Sequence, residues 1–568
     1  MPALLLTLLC VGELVFFLLP GLAVATIVLR KRACACIDSL IVTLAASAAY
    51  GYIAFWIYFA GKTAGQVFSY GVVVASIGFL LYSFRRSYPR FFLNSDFAVP
   101  LAYALCLGLF YLSLLYVFVN PLKAGVDVAD VRFFWDTRAG DNIIPFIFAE
   151  RIYDRAPIRP FCCGDWLSSD RPPLQAGIFL LQRPLRLAGN TGLQYQVLGA
   201  MLQCLWVCGV WALLRALGTN ARRIGQALGL LVFSGFLFFN SIYAWPKLLA
   251  ATFVLFVFSL VTRAVLAHRS LTRFESALAA TCFVLALLAH PGSVFSAPAV
   301  LVLLIWRRNL VTVRQAAAGL AIIGAAIVPW MLYQQFYDPP ANRLLKMHLA
   351  GVISVDNRST MQALRDSYGH LSLPSLLEKK WGNVETLIGK DPFAVSGDRA
   401  RVAQRDYVWG AIGILNLGWI AALASWVRRR PASRLPHAAA MITAVLINFS
   451  AWCIVMYGPA QTVSETASYA DILLLSLGLI GFLLLAPRWV LIALIVLQAV
   501  NLVFVWVMFR PASFVLPTRA VVGPSLQWPM LMLAILVGGA MFLHFARCLL
   551  LRESAAAVAD ALFEQQAQ

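Results

Sequence analysis

Charged residues are scarce in this chain, and their scarcity excludes most classes of soluble protein. Only 12% of the 568 residues are charged, whereas 61% are hydrophobic; soluble domains carry about 25% charged residues. Apolar runs of 18 or more residues recur instead, and each could cross a hydrocarbon core of about 30 Å as a helix. The runs do not alternate in polarity, which excludes a spanning β-barrel. The sequence therefore predicts an all-α polytopic membrane protein.

Acidic residues are the scarcer of the two charge types. The chain has 25 Asp and Glu against 45 Lys and Arg, a net charge of +20. Such a balance can indicate nucleic-acid binding. Here, however, the basic residues cluster at alternate ends of the apolar runs, as the positive-inside bias requires. We therefore expect a lipid bilayer as partner and no nucleic acid.

Motifs for metal binding and for secretion are also missing. Most of the eleven cysteines lie in apolar runs, where Cys behaves as a small hydrophobe. No CxxC or Cys/His spacing suggests a zinc site, and the adjacent Cys162 and Cys163 have poor geometry for bridging each other. The first apolar run, 3–29, has no basic segment before it and no clear cleavage site, so we expect a spanning helix.

The apolar runs predict about fifteen spans. They are 3–29, 37–60, 66–84, 97–119, 193–214, 224–243, 248–267, 274–290, 293–306, 315–335, 408–427, 437–457, 469–487, 489–509 and 527–546. The arginine-rich connections, such as 30–32 and 428–430, are expected on the cytoplasmic side. This orientation predicts an outer N-terminus and a cytoplasmic C-terminus.

The predicted layout has five parts. They are extra N-terminal helices at 1–96, a core module at 97–335 with a first outer loop at 120–192, a second outer loop at 336–407, C-terminal helices at 408–550 and a cytoplasmic tail at 551–568. Both loops are too polar to cross a membrane. We expect them to form amphipathic helices that cap the outer face of the bundle.

The first loop holds the residues best suited to chemistry. Asp136, Arg138 and Asp141 precede an amphipathic stretch at 146–153. Asp141 either caps the start of that helix or acts as a general base that takes a proton from an acceptor hydroxyl. Further along, two prolines stiffen the backbone after Asp170 and Arg171. Arg171 then either anchors to lipid headgroups or binds a substrate phosphate through its fork of donors.

Two further candidates lie in short outer connections. Lys247 is nearly the only cation in such a connection, which favours a second phosphate ligand. Its neighbours Tyr243 and Trp245 fit an aromatic belt at the membrane surface. His290 begins a tight turn, where a histidine is either structural or a substrate ligand.

The order of these motifs resembles the first outer loop of the GT-C superfamily. The resemblance rests on Asp141…Ala149-Glu150-Arg151…Gly164-Asp165-Trp166…Asp170-Arg171-Pro172-Pro173-Leu174-Gln175. These are multi-pass glycosyltransferases that use polyprenyl-phosphate sugars, and the likeness is to their protein mannosyltransferase and aminoarabinose transferase group. It implies a GT-C-like helix bundle in which Asp141 is the catalytic base, with Asp136 as a rival, and in which Asp170 and Arg171 bind the lipid-linked phosphate. Arg138, Lys247 and His290 are the further candidates for substrate binding.

The sequence also departs from that family pattern. Asn142 stands where a second acid is common, Arg171 stands where lysine is common, and three extra spans precede the core. These differences indicate a divergent branch, so the donor sugar and the acceptor cannot be carried over.

The resemblance implies sugar transfer to a glycan, lipid or protein acceptor by a single inverting displacement. No cofactor is required for it, although Asp136 and Asp141 could hold a divalent metal. The implied setting is a bacterial inner membrane with the active site facing the periplasm. Two alternatives stay open: a transporter or flippase of a lipid-linked saccharide, and an O-antigen-type polymerase or ligase. Transporters tend to have paired repeats and polar residues at the membrane midplane, whereas polar residues here concentrate at the outer surface.

Overall fold

The computed structural model describes most of the chain. The described residues are 2–29, 36–85, 92, 94–123, 125–126, 128–134, 141–161, 166–340, 342–389, 397–418, 423–424, 427, 435–459, 467–508, 514–515, 521–522 and 526–550. Asp136, Arg138, the Gly164-Asp165 pair and the predicted tail at 551–568 lie outside them.

Helices dominate the described residues. Through the first loop they are α1 (Pro2–Leu29), α2 (Cys36–Ala60), α3 (Lys62–Arg85), α4 (Ser95–Leu115), α5 (Val128–Phe134), α6 (Ile144–Asp154) and α7 (Leu174–Gln182). Before the second loop they are α8 (Thr191–Cys204), α9 (Trp206–Ala216), α10 (Ala221–Leu231), α11 (Gly235–Ile242), α12 (Lys247–Leu266), α13 (Arg273–Ala289), α14 (Ala297–Trp306) and α15 (Val313–Phe336).

The second loop and the C-terminal part follow. Their helices are α16 (Arg343–Ala350), α17 (Thr360–Tyr368), α18 (Leu373–Ile388), α19 (Gly397–Asp406), α20 (Val408–Ile412), α21 (Leu435–Val455), α22 (Tyr469–Leu483), α23 (Arg488–Leu502) and α24 (Trp528–Leu550). Two-residue strands β1 (Phe514–Val515) and β2 (Val521–Val522) pair antiparallel. The prediction of a polytopic helical membrane protein is confirmed.

Ten helices in the described residues are long and apolar enough to cross a membrane, and these coincide with ten of the fifteen predicted spans. The predicted span at 224–243 is instead the pair α10 and α11, which bend by 83° at a short break. α13 has only 17 residues, and the runs that begin at 293, 408 and 469 form shorter apolar helices. Hydropathy alone does not register these breaks, because an apolar run stays apolar across them.

The first loop enters the bundle instead of lying wholly on its surface. All nine residues of α7 are buried, and the helix packs against α2. This close packing requires glycine at position 177, because a Cβ atom there would lie 2.2 Å from the carbonyl oxygen of Gly51. Small residues at a helix crossing let two backbones approach in this way. α7 therefore carries the end of the Asp170–Pro173 segment into the protein interior.

The second loop folds back on itself. The Lys346 ammonium on α16 is buried and donates to the Asp356 carboxylate at 2.5 Å. Arg358 donates to the same carboxylate at 2.8 Å, and hydrogen bonds from Lys346 and Arg358 lower the pKa of Asp356 to about 2. These contacts fix the start of α16, which faces the first loop.

Candidate functional site

An ion pair joins the two most conspicuous motifs of the first loop. Nη2 of Arg171 lies 2.9 Å from Oδ1 of Asp141, and the Asp141 side chain keeps 20% of its surface exposed. The helix that follows Asp141 begins after Ile143 and has no side-chain cap. The interpretation of Asp141 as a helix cap is therefore wrong: its carboxylate faces Arg171.

The second loop supplies a cation that meets the same segment. Nη1 of Arg343, the first residue of α16, donates to Oδ2 of Asp170 at 2.7 Å. Its guanidinium carbon lies 5.0 Å from the centre of the Trp166 ring, and that of Arg171 lies 4.8 Å from the same ring. Trp166 thus contacts two guanidinium groups, one from each loop, each of them ion-paired to an aspartate of the first loop.

A second indole, that of Trp245, contacts the predicted residues Lys247 and His290. Nζ of Lys247 lies 3.5 Å from the centre of the Trp245 ring, and the Arg171 guanidinium carbon lies 5.2 Å from it. Because both distances end at one ring centre, the two cations are no more than about 9 Å apart, the sum of the two. The His290 ring packs edge-on at 5.8 Å. Trp245 is only 8% exposed, so it does not belong to a lipid-facing belt as the sequence predicted.

The break between α11 and α12 positions Lys247. Ala244 adopts a left-handed conformation with φ 54°, which turns the chain sharply before α12. Oε1 of Gln203 accepts from the backbone amides of Leu248 and Leu249 at 3.1 and 3.0 Å, so a buried side chain caps the first turn. Lys247 begins this capped turn and is only 2% exposed. Its ammonium contacts the Trp245 ring and lies 3.4 Å from the Tyr469 hydroxyl.

Asp338 fixes the segment that carries Asp170 and Arg171. Its fully buried carboxylate accepts from the Ser168 hydroxyl at 2.8 Å and from the Ser169 amide at 2.7 Å. Nε of Arg159 donates to it at 2.9 Å. A buried charge held by several donors keeps one geometry, so the site segment is tied to the end of α15.

The assembled site is basic. Arg171, Lys247 and Arg343 carry three positive charges against two on Asp141 and Asp170, which leaves one net positive charge. Burial raises the pKa of Asp170, although Arg343 and the Leu167 amide oppose that shift. Within the described residues, Nε of Arg171, Nε of Arg343 and the indole nitrogen of Trp245 are buried donors without a hydrogen-bond partner. Such donors suit an anionic ligand.

Of the seven predicted site residues, the structure brings five together. Asp141, Asp170, Arg171, Lys247 and His290 lie around Trp166 and Trp245, although they come from separate parts of the chain. The other two, Asp136 and Arg138, lie outside the described residues. Their predicted roles, as rival base and as substrate ligand, stay predictions.

Two contributors were not predicted, Arg343 and Asp338. A signal for Asp338 existed in the sequence, since it directly precedes Pro339-Pro340. The motif Asp170-Arg171-Pro172-Pro173 is similar, with an acid one residue before two prolines. Arg343 has no such signal, since it is one of several basic residues in an amphipathic stretch. Only the fold of the second loop brings it to Asp170.

No three His, Cys, Asp or Glu side chains gather into a metal-sized group in the part of the chain that the structure describes. No known protein family, curated protein or solved structure matches this chain. Its function has therefore to be argued from the geometry and chemistry of this site.

Proposed function

We propose that this protein is a membrane glycosyltransferase that moves a sugar from a polyprenyl-phosphate donor to an acceptor hydroxyl. The observation that carries the proposal is the meeting of Asp141, Arg171 and Lys247 around Trp245. One group is a partly exposed carboxylate suited to general-base work. The other two are buried cations suited to a phosphate. The site belongs to a bundle of membrane helices, where a lipid-linked donor is available.

The cations would stabilise the phosphate leaving group. In the reaction the bond between the anomeric carbon and the phosphate oxygen breaks, and the phosphate keeps the electron pair. Negative charge therefore grows on the phosphate as the bond breaks. Arg171, Lys247 and Arg343 would stabilise that charge from a preorganised, largely water-free site. The unpartnered Nε–H groups of the two arginines supply donors that no described residue of the protein uses.

Asp141 would activate the acceptor hydroxyl. Its carboxylate would take the proton from the acceptor hydroxyl while the acceptor oxygen bonds to the anomeric carbon, which inverts the configuration. In the described state Asp141 is paired with Arg171. A bound donor phosphate would compete for that guanidinium and release the carboxylate for its role as base.

The resemblance to GT-C glycosyltransferases supports the same assignment at single residues. From this resemblance we expect the base at Asp141 and the acidic-basic pair at Asp170 and Arg171. The resemblance also implies a second acid where Asn142 stands. Nδ2 of the buried Asn142 donates to the Val126 carbonyl at 3.2 Å, a bond that an aspartate could not donate. The acceptor class, the bacterial inner membrane and a periplasmic site belong to this proposal.

One observation favours a different function, a transporter or flippase of a lipid-linked saccharide. The bend of 83° between α10 and α11 is a discontinuous helix of the kind found at transporter binding sites. Both functions would use the cationic site, but only the enzyme would make a new glycosidic bond. An O-antigen-type polymerase or ligase would differ in its donor, a saccharide linked through diphosphate.

The test is sugar transfer by the purified full-length chain from a panel of polyprenyl-phosphate sugars. Asp141→Asn should lower kcat by roughly 10²- to 10⁴-fold, the usual contribution of a general base. Donor binding should be equal or tighter, because Arg171 loses its competing partner. Asp154→Asn is the matched control, since Asp154 is an exposed acid of the same loop that pairs only with Lys62 among the described residues.

Two results would contradict the proposal. Near-normal transfer by a folded Asp141→Asn variant would remove Asp141 as the base. Failure of the unmodified protein to transfer any sugar, together with movement of a labelled lipid-linked saccharide across vesicles, would establish the transporter instead. Transfer only from diphosphate-linked donors would favour the polymerase or ligase.

A further inference from the structure

A large apolar groove lies between α18 of the second loop and the helices α20, α21 and α22. Its volume is about 1170 Å³, which exceeds the roughly 300–1,000 Å³ of sites for drug-sized ligands. Residues such as Leu387, Phe449 and Leu475 line it, and Glu378 and Lys380 are the charged residues among its described lining. The groove is therefore built for a long apolar chain.

The groove opens sideways toward the surroundings of the bundle. On its rim, Leu377 and Trp381 of α18 are 60% and 64% exposed, and Leu446 and Ile454 of α21 are 60% and 67% exposed. α21 is one of the candidate membrane spans, and its last turns form one wall. A chain could thus enter from the bilayer without crossing water.

Two lysines that have no acidic partner among the described residues stand at the mouth of the groove. Nζ of Lys380 donates to the Tyr368 hydroxyl at 3.0 Å and to the Met456 carbonyl, and Nζ of the adjacent Lys379 lies 4.6 Å from the centre of the Tyr457 ring. Neither lysine forms an ion pair with any residue that the structure describes. Burial lowers the pKa of Lys380. A nearby anion would offset the cost of that burial.

This mouth is separate from the site around Trp245. α16 begins at Arg343, which contacts Asp170, and is followed by Gly351, which packs on Tyr457. Eight helical residues span about 12 Å. The Arg343 guanidinium is held at Asp170 and the Lys379 ammonium lies at Tyr457, so the mouth is a second place for an anionic group, apart from the site around Trp245.

We propose that the groove binds an anionic phospholipid of the surrounding bilayer, with an acyl chain in the groove and the headgroup phosphate at Lys380 and Lys379. The inference stands apart from the proposed glycosyl transfer. Its structural consequence is support for α18, and through α18 for the second loop that delivers Arg343 to the first. A polyprenyl substrate is the competing occupant.

Photolabelling tests the proposal directly. The purified full-length chain is incubated with phosphatidylglycerol or phosphatidylcholine that carries a diazirine in one acyl chain, and labelled peptides are identified by mass spectrometry. We expect phosphatidylglycerol to label peptides of α18 and α21, with at least a roughly fivefold excess over phosphatidylcholine, the factor that one lysine near an anionic headgroup contributes. Lys380→Gln should abolish the excess, and Lys380→Arg should keep it.

Controls make each outcome decisive. Lys62→Gln removes a half-exposed lysine elsewhere and should leave the labelling unchanged. Ser450→Trp puts an indole into the groove and should reduce labelling by both lipids. Equal labelling of Lys380→Gln and the unmodified protein would overturn the proposal. So would displacement of phosphatidylglycerol by decaprenyl phosphate at a tenfold lower concentration, which would assign the groove to the substrate's chain.

Discussion

At the scale of single residues, two indole rings organise the charge of the site. Trp166 contacts Arg171 and Arg343, and Trp245 contacts Arg171 and Lys247. A cation over an indole gains about 2 kcal/mol or more when both are desolvated. The rings therefore help three like charges stay together in a buried place. Their faces stabilise the cations and leave N–H groups available.

Lys247 offers the first prediction at this scale. Lys247→Met keeps the length of the side chain and removes the charge, so we expect kcat/KM for sugar transfer to fall roughly 100-fold, as when one electrostatic donor is lost. Lys247→Arg should restore part of the activity. Steady-state kinetics on the purified protein measure both. Lys62→Met, which removes a half-exposed lysine paired with Asp154, should have no effect; equal effects of the two methionine variants would exclude a role for Lys247 in the site.

The ion pair of Asp170 and Arg343 offers a second. Both side chains are largely buried, 3% and 11% exposed, so Asp170→Asn and Arg343→Met should each destabilise the protein by about 3–5 kcal/mol through an unpaired buried charge. The double variant should be clearly more stable than the sum of the two losses predicts. Thermal unfolding in detergent completes the double-mutant cycle. Strict additivity would mean that the two loops are not coupled through this pair.

At the scale of elements, the crossing of α2 and α7 determines where the site segment ends. Gly51 and Gly177 face each other there, and a Cβ on either would overlap the other helix. Because α7 starts directly after Pro173, a displaced α7 would also displace Arg171. A small-residue contact inside the bundle thus supports a residue that lies two turns away from it.

Substitution at that crossing is therefore predicted to have two effects. Gly177→Ala should lower the melting temperature by an amount equivalent to about 1–3 kcal/mol of overpacking, and it should reduce transfer activity as well. Gly71→Ala in α3 is the matched control, since a Cβ there meets nothing within 4 Å. It should be neutral or stabilising by up to about 1 kcal/mol. Similar melting temperatures for the two variants would show that α7 can move without cost.

Some elements could be predicted from the sequence and others could not. Ten of the apolar runs form helices that are long and apolar enough to cross a membrane, because length and hydropathy are properties of the run itself. The turn at Ala244 was not predicted, because an alanine with positive φ has no signal in the local sequence. The same limit applies to Trp245, which fits an aromatic belt by sequence but is buried in the structure, in contact with Arg171 and Lys247.

At the scale of the whole molecule, the candidate site lies where the two long loops meet. Asp141, Asp170 and Arg171 could be named as candidates from the sequence because they belong to short motifs within one polar loop. Arg343 was not, since pairing between loops about 170 residues apart depends on the complete fold. The sequence could therefore indicate a cationic site in the first loop but not its completion by the second.

At this scale we predict on which side of the membrane the two long loops lie. The positive-inside bias places the loops opposite the arginine-rich connections. In intact cells, Gln362→Cys in the second loop should react with a membrane-impermeant thiol reagent, while Asn309→Cys, next to Arg307-Arg308, should react only after permeabilisation; both positions are exposed. The unmodified protein gives the background from native cysteines. The reverse pattern would place the site in the cytoplasm.

The pairing of Asp141 with Arg171 has a consequence for kinetic order. A base that is engaged until a phosphate displaces it cannot deprotonate an acceptor that arrives first. The donor should then bind before the acceptor becomes reactive, and an unreactive acceptor analogue should inhibit uncompetitively with respect to the donor. The ion pair would thus couple the arrival of the phosphate to the release of the base.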